Sequence, residues 1–255
     1  MSMHYSLPDR SPNVVRKNRL VYVATVLLAA IAVGGSMATG LMPALALALA
    51  VVLGAAYWGW PHLTVLPNVV VGRAVAAIIG GAALVAAALG STTAVAYVAA
   101  VGVLVVYVGE MVRRDGRVRL LSQVIGTYAG GVLGVSAALW LSLVNLVSGF
   151  ELGVVWMAGM AVAGIASAFV RGPLVGLAAG LGAFLGSAAL LFVFPDVPRW
   201  PVVAFAVILG ILAWGLEKMT QHMLAQGNAS ALVSFALLPF CAMGVVGYTL
   251  ALVMF

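Results

Sequence analysis

Nine stretches of this chain are apolar, nearly free of charge and each about as long as a helix that crosses a bilayer. That succession limits the fold more than any motif does. Only 7% of the residues are charged and 65% are apolar, whereas an ordinary soluble domain is roughly 25% charged and 45–50% apolar. Too little charge remains to cover a water-exposed globule. The same composition excludes a disordered, collagen-like or disulfide-stapled chain.

The spans fall at about 20–37, 41–60, 69–90, 92–112, 124–147, 153–170, 173–194, 201–218 and 229–255. They are too long for barrel strands and lack apolar/polar alternation, so they read as helices. The fold class is therefore all-α, a polytopic membrane helix bundle. Residues 1–19 read as a basic, loosely ordered cytoplasmic tail and 20–255 as one transmembrane helical domain with short loops. Trp58 and Trp60 close the second span as an expected interfacial anchor, followed by a loop from Pro61. A polar connector is expected over Thr220–Asn228. An alternative for the start is a cleaved signal peptide ending at Ser36-Met37-Ala38. The long basic stretch before it favours an uncleaved first helix.

Basic residues give the direction of threading. With the N-terminus inside, the inner segments carry Arg10, Arg16, Lys17, Arg19, Arg73, Arg113, Arg114, Arg117, Arg119, Arg171 and Lys218, and the outer ones only Arg199. An added or missing span would scatter these charges, so the expectation is N-terminus cytoplasmic and C-terminus outside. The net charge of +6 then reflects topology. No nucleic-acid-binding motif accompanies it.

Three spans carry small residues four apart: Gly72, Ala76 and Gly80; Gly126, Gly130 and Gly134; Gly172, Gly176 and Gly180. Each set marks one helix face. Lipid tails are as apolar as Leu, so close backbone approach through small residues is what draws helices together. The sets recur at roughly hairpin intervals, which hints at an internal repeat; glycine abundance produces the same spacing by chance. Pro239 removes one backbone bond in the ninth span and is expected to kink it near Phe235. Polar side chains at membrane depth are mild: Tyr97, Tyr128, Ser136, Asn145, Ser167, Ser187 and Ser234. Hydrogen bonding between helices is their expected role.

Chemistry concentrates after the fourth span, at Glu110, Arg113, Arg114, Asp115, Arg117 and Arg119. Guanidinium forks match phosphate, so an anionic headgroup or a phosphorylated lipid-linked substrate suits them. The plainer role is a topology determinant that holds the loop inside. The run from Asp115 to Arg119 invites comparison with lipid CDP-alcohol phosphotransferases. Their motif continues to Ala-Arg and two further aspartates. Here the next acid is Glu151, and the six acids are scattered, so no cation-holding carboxylate set is present.

No metal site is expected, and Cys241 stands alone. No nucleotide-binding, hydrolase or zinc-protease motif appears, so no cofactor and no catalytic residue are assigned. Charges within the spans are nearly lacking, which disfavours proton- or cation-coupled transport.

The stretch Gly109–Arg119 followed by Ser122–Thr127 resembles a group of uncharacterised polytopic membrane proteins of high-GC Gram-positive bacteria. The resemblance covers only that short segment. It implies a bacterial plasma-membrane location and carries no established activity.

Three functional expectations follow. The first is a permease or flippase-like transporter of a neutral or lipidic substrate, recognisable by a central cavity with convergent polar groups. The second is a non-catalytic subunit scaffolding a cell-envelope or lipid-processing complex. The third, remote, is a lipid-modifying enzyme using the 110–119 loop. Expected partners are anionic lipid headgroups at the cytoplasmic face and another membrane protein or a second copy.

Overall fold

The computed structural model describes residues 12–112, 119–226 and 228–254. Among them are nine long helices: α1 (Pro12–Ala38), α2 (Met42–Leu63), α3 (Val69–Ala88), α4 (Thr92–Val112), α5 (Leu120–Leu143), α6 (Gly149–Phe169), α7 (Val175–Leu191), α8 (Arg199–Gln226) and α9 (Ala229–Leu252). A single 3-10 turn, Gly172–Leu174, leads into α7. All nine are long and apolar enough to cross a membrane, the seventh when that turn is included, and they mark a multi-pass membrane protein. A helix satisfies its own backbone groups, the condition hydrocarbon imposes on any spanning segment.

The connections are short and chemically specific. Asn68 accepts a hydrogen bond from the Val71 amide (3.0 Å), and Asn228 accepts one from the Ala231 amide (3.3 Å), so side-chain caps open α3 and α9. Gly90 ends α3 at φ +74. It lets the Ser91 amide reach back to the Ala86 carbonyl at 3.1 Å, a glycine-closed helix end.

Helix α9 is central and packs on α1, α2, α5, α6 and α8. Two pairs flank the centre. Helices α3 and α4 lie against α5 on one side, and α7 and α8 lie against α6 on the other. The middle is filled by aromatic rings. Trp156 stacks on Phe205 with centroids 4.9 Å apart, and Trp140 meets both edge-on at 6.3 Å. Offset stacking and edge contacts are the favoured geometries for such rings.

Several boundaries differ from the sequence expectations. Helix α1 starts at Pro12, so residues 12–19 continue the first span as helix. The Asn18 amide donates to the Leu224 carbonyl at 2.9 Å, which ties this turn to α8. Helix α8 runs to Gln226, so the expected polar connector is helical. Pro61 and His62 lie in the last turn of α2 rather than in a loop. Met37, beside the conceivable cleavage point, is buried and packs on Gly153 of α6.

Candidate functional site: the basic end of the bundle

One end of the bundle gathers the start of α1, the turns α2–α3 and α6–α7, the end of α4, the start of α5 and the end of α8. Arg16, Lys17, Arg119, Arg171 and Lys218 are exposed there. Of the loop residues singled out in the sequence, Arg113, Arg114, Asp115 and Arg117 lie outside the described residues. Glu110 and Arg119 frame them. Glu110 is 4% exposed and follows Val106 by one turn, which puts it on the face that packs on α3 and α5. Arg119 stands just before α5 with φ +52, a left-handed conformation uncommon for a residue with a side chain.

A polar knot holds this region. Gln123 on α5 is fully buried. Its Oε1 accepts from the Asn68 amide at 2.9 Å, and its Nε2 donates to the Asn68 carbonyl at 3.0 Å and to Thr127 Oγ1 at 3.3 Å. One amide side chain thereby pairs with both backbone groups of a half-buried turn residue, whose carbonyl also accepts from the Gly72 amide at 3.1 Å. Nearby, Val65 is held at φ +53, a strained conformation for a β-branched residue. The knot fixes the α2–α3 turn against the start of α5, and so sets where Arg119 stands.

The arginines nearer the bundle are engaged with aromatic rings. The Arg73 guanidinium lies 4.5 Å from the Trp58 ring centre and donates to the Trp58 carbonyl at 2.8 Å. Arg19 lies 5.1 Å from the Phe169 ring centre. Such cation–π contacts hold a charge at an apolar boundary. Trp60 departs from its expected anchoring role. It is 7% exposed and donates to the Gly126 carbonyl at 2.8 Å.

The small-residue faces meet different partners. Gly80 and Gly134 face each other across α3 and α5; a Cβ on Gly134 would stand 2.7 Å from the Gly80 Cα and overlap the Tyr57 hydroxyl. Gly72 and Gly126 both receive Leu66, Gly130 receives the Trp60 indole, and Ala76 is fully buried. Gly176 and Gly180 close on Gly210 of α8. Gly172 differs from expectation: nothing lies within 4 Å of where its Cβ would be, and its φ is +74. It serves the turn, and its amide donates to Glu217 Oε1 at 3.1 Å.

Four of the membrane-depth polar groups join helices. Tyr128 donates to the Ala99 carbonyl, Ser187 to Val155, Ser234 to Ala56 and Ser136 to Ala242. Ser167 bonds within its own helix. Tyr97 is exposed, and Asn145 sits in the α5–α6 connection. Helix α9 continues through Pro239. The turns that follow are tied to α5 by Trp140, which donates to the Phe240 carbonyl at 2.9 Å, and by Ser136, which also accepts from the Val245 amide at 3.0 Å.

No group of three or more His, Cys, Asp or Glu side chains suited to a metal occurs among the described residues. What the described basic end offers is a set of exposed cationic side chains, Arg16, Lys17, Arg119, Arg171 and Lys218. Comparison of the chain with protein-family models, with curated proteins and with solved structures found no match.

Proposed function

We propose that the chain is a non-catalytic membrane subunit that scaffolds a cell-envelope or lipid-processing complex, seated in a bacterial plasma membrane with its basic end toward the cytoplasm. The observation that carries this reading is the filled interior. The cavity among α1, α6, α8 and α9, lined by Tyr22, Ser167, Thr220 and Phe240, measures about 30 Å³. The one beside Tyr57 measures about 10 Å³. The first has room for about two waters and the second for about one. Trp140, Trp156 and Phe205 occupy the place where a substrate path would run. Rigid, closely packed helices with small-residue faces suit a part that is held by others and holds them.

A second reading, a permease for a neutral or lipidic substrate, is favoured by one feature. An apolar groove of about 570 Å³ opens sideways between α7 and α8. Lipidic cargo would travel along such a groove without a central cavity.

One experiment separates the two. The tagged full chain is purified in mild detergent, and in parallel reconstituted into liposomes carrying a labelled phospholipid. Scaffolding predicts a second membrane protein at fixed stoichiometry, whose activity falls when this chain is deleted, and no lipid movement above protein-free liposomes. A chain that purifies alone and speeds transbilayer lipid movement would overturn it in favour of the permease.

A further inference from the structure

The lateral groove has one apolar face from each helix. Leu177, Leu181 and Phe184 of α7 oppose Val203, Val207 and Trp214 of α8. At its floor the backbones approach closely, with a Gly210 Cβ position only 2.8 Å from the Gly176 carbonyl oxygen. No side chain therefore fills the trough. Its volume lies within the roughly 300–1,000 Å³ typical of small-ligand sites.

The groove runs from Pro173 to Phe184 along α7, about 16 Å at 1.5 Å per residue. That is close to half of the roughly 30 Å hydrocarbon layer. One leaflet's acyl chain fits that length, whereas a partner's spanning helix would need a groove about twice as long. The two ends differ in charge. On α8 the groove face continues from Trp214 to Lys218, four residues on and therefore on the same side. On α7 the groove begins just after Arg171. Glu217 turns toward the backbone, where its Oε1 accepts from the Gly172 amide. Arg171 and Lys218 are both exposed at that mouth, which leaves it net positive with the one carboxylate included.

We infer that the α7–α8 groove binds one anionic phospholipid, its acyl chain lying along Leu177, Leu181 and Val207 and its phosphate between Arg171 and Lys218. The Trp214 ring, 62% exposed at the headgroup-proximal end, lies beside the upper part of that chain. The inference does not depend on whether the protein scaffolds or transports, and its test reads neither activity.

The test reconstitutes the full chain into phosphatidylcholine vesicles containing increasing brominated phosphatidylglycerol, and follows quenching of tryptophan fluorescence. The wild type should show a component that saturates at low mole fraction and is not reproduced by brominated phosphatidylcholine. Trp214→Phe should lose that component. Arg171→Gln and Lys218→Gln should each weaken it about fivefold, the selectivity expected from one basic side chain near an anionic lipid. Val207→Trp, which fills the groove from an exposed position, should displace the lipid; because it adds a fluorophore, it is read by native mass spectrometry as loss of the retained phosphatidylglycerol. Equal quenching by the two lipids, or an unchanged component in Arg171→Gln/Lys218→Gln with helicity intact, overturns the assignment. So does protection of the groove by a second copy or a partner helix in cross-linking.

Discussion

The Trp60 indole donates to the Gly126 carbonyl at 2.8 Å and thereby pins the end of α2 to the first turns of α5. The ring also lies over Gly130, where a Cβ would come within 2.6 Å of its nitrogen. Trp60→Phe keeps most of the ring and removes the donor, so it should lose about 1 kcal/mol, one hydrogen bond's net worth. Trp60→Ala should lose about 3–5 kcal/mol, because it also opens a cavity. Trp58→Phe, on the exposed neighbour, should stay within about 0.5 kcal/mol. Denaturation of the detergent-solubilised protein by graded SDS, followed by circular dichroism, ranks the three.

Gly134 has no room for a methyl group. Its Cβ would overlap the Tyr57 hydroxyl and press on the Gly80 backbone, so Gly134→Ala should lose about 1–3 kcal/mol through overpacking. Gly54→Ala serves as the control, since nothing lies within 4 Å of its Cβ position; its higher helix propensity should leave stability equal or slightly raised. The Tyr57 hydroxyl is buried without a hydrogen-bond partner. Tyr57→Phe should therefore be neutral or stabilising, and the double variant Tyr57→Phe/Gly134→Ala should recover part of the loss. Strict additivity in the same denaturation assay would show that the hydroxyl is not what the methyl meets.

Gln123→Ala should release the α2–α3 turn. It removes the Gln123 acceptor from the Asn68 amide and one of the two donors to its carbonyl, which keeps the Gly72 amide at 3.1 Å, at about 1–3 kcal/mol for a buried amide that loses its acceptor. Val65, held at a positive φ, is then free to relax. The readout is amide hydrogen exchange. Residues 64–68 should exchange about tenfold faster or more, the factor that corresponds to 1.4 kcal/mol, while the centre of α9 stays protected. Uniform acceleration across the bundle would mean that Gln123 supports global stability rather than this turn.

The number of helices and their approximate places were legible because hydrocarbon thickness sets a length and turn residues such as Gly40, Pro67-Asn68, Gly90 and Pro195 mark the interruptions. Boundaries near the basic end were not. Residues 12–19 read as a polar tail, yet the fold recruits Asn18 to the Leu224 carbonyl and Arg19 to the Phe169 ring. Those partners lie 206 and 150 positions away, beyond any local pattern. The α8 extension to Gln226 escaped for the same reason. Helical spacing identified glycine faces but not their partners, so Gly172, which makes a turn, shared a pattern with Gly176, which packs on α8. The Gln123–Asn68 knot gave no signal, because a lone Gln in an apolar run is silent until its partner is placed. The lateral groove was equally invisible, since it depends on how closely two backbones approach at Gly176 and Gly210.

Orientation can be read with the protein's own cysteine as a silent background. Cys241 is 2% exposed and buried, so a membrane-impermeant maleimide should leave the folded wild type unlabelled. His62 at the basic end and Asn145 at the opposite end are both exposed, and each is a suitable site for a single introduced cysteine. Among the described residues the basic end carries seven of the eight Lys and Arg, Arg199 being the exception, and positive charge resists translocation. In intact cells Asn145→Cys should therefore react promptly, and His62→Cys only after permeabilisation. The reverse order would place the basic end outside. It would also move the phosphate proposed at Arg171 and Lys218 to the opposite leaflet, without changing which lipid class the groove selects.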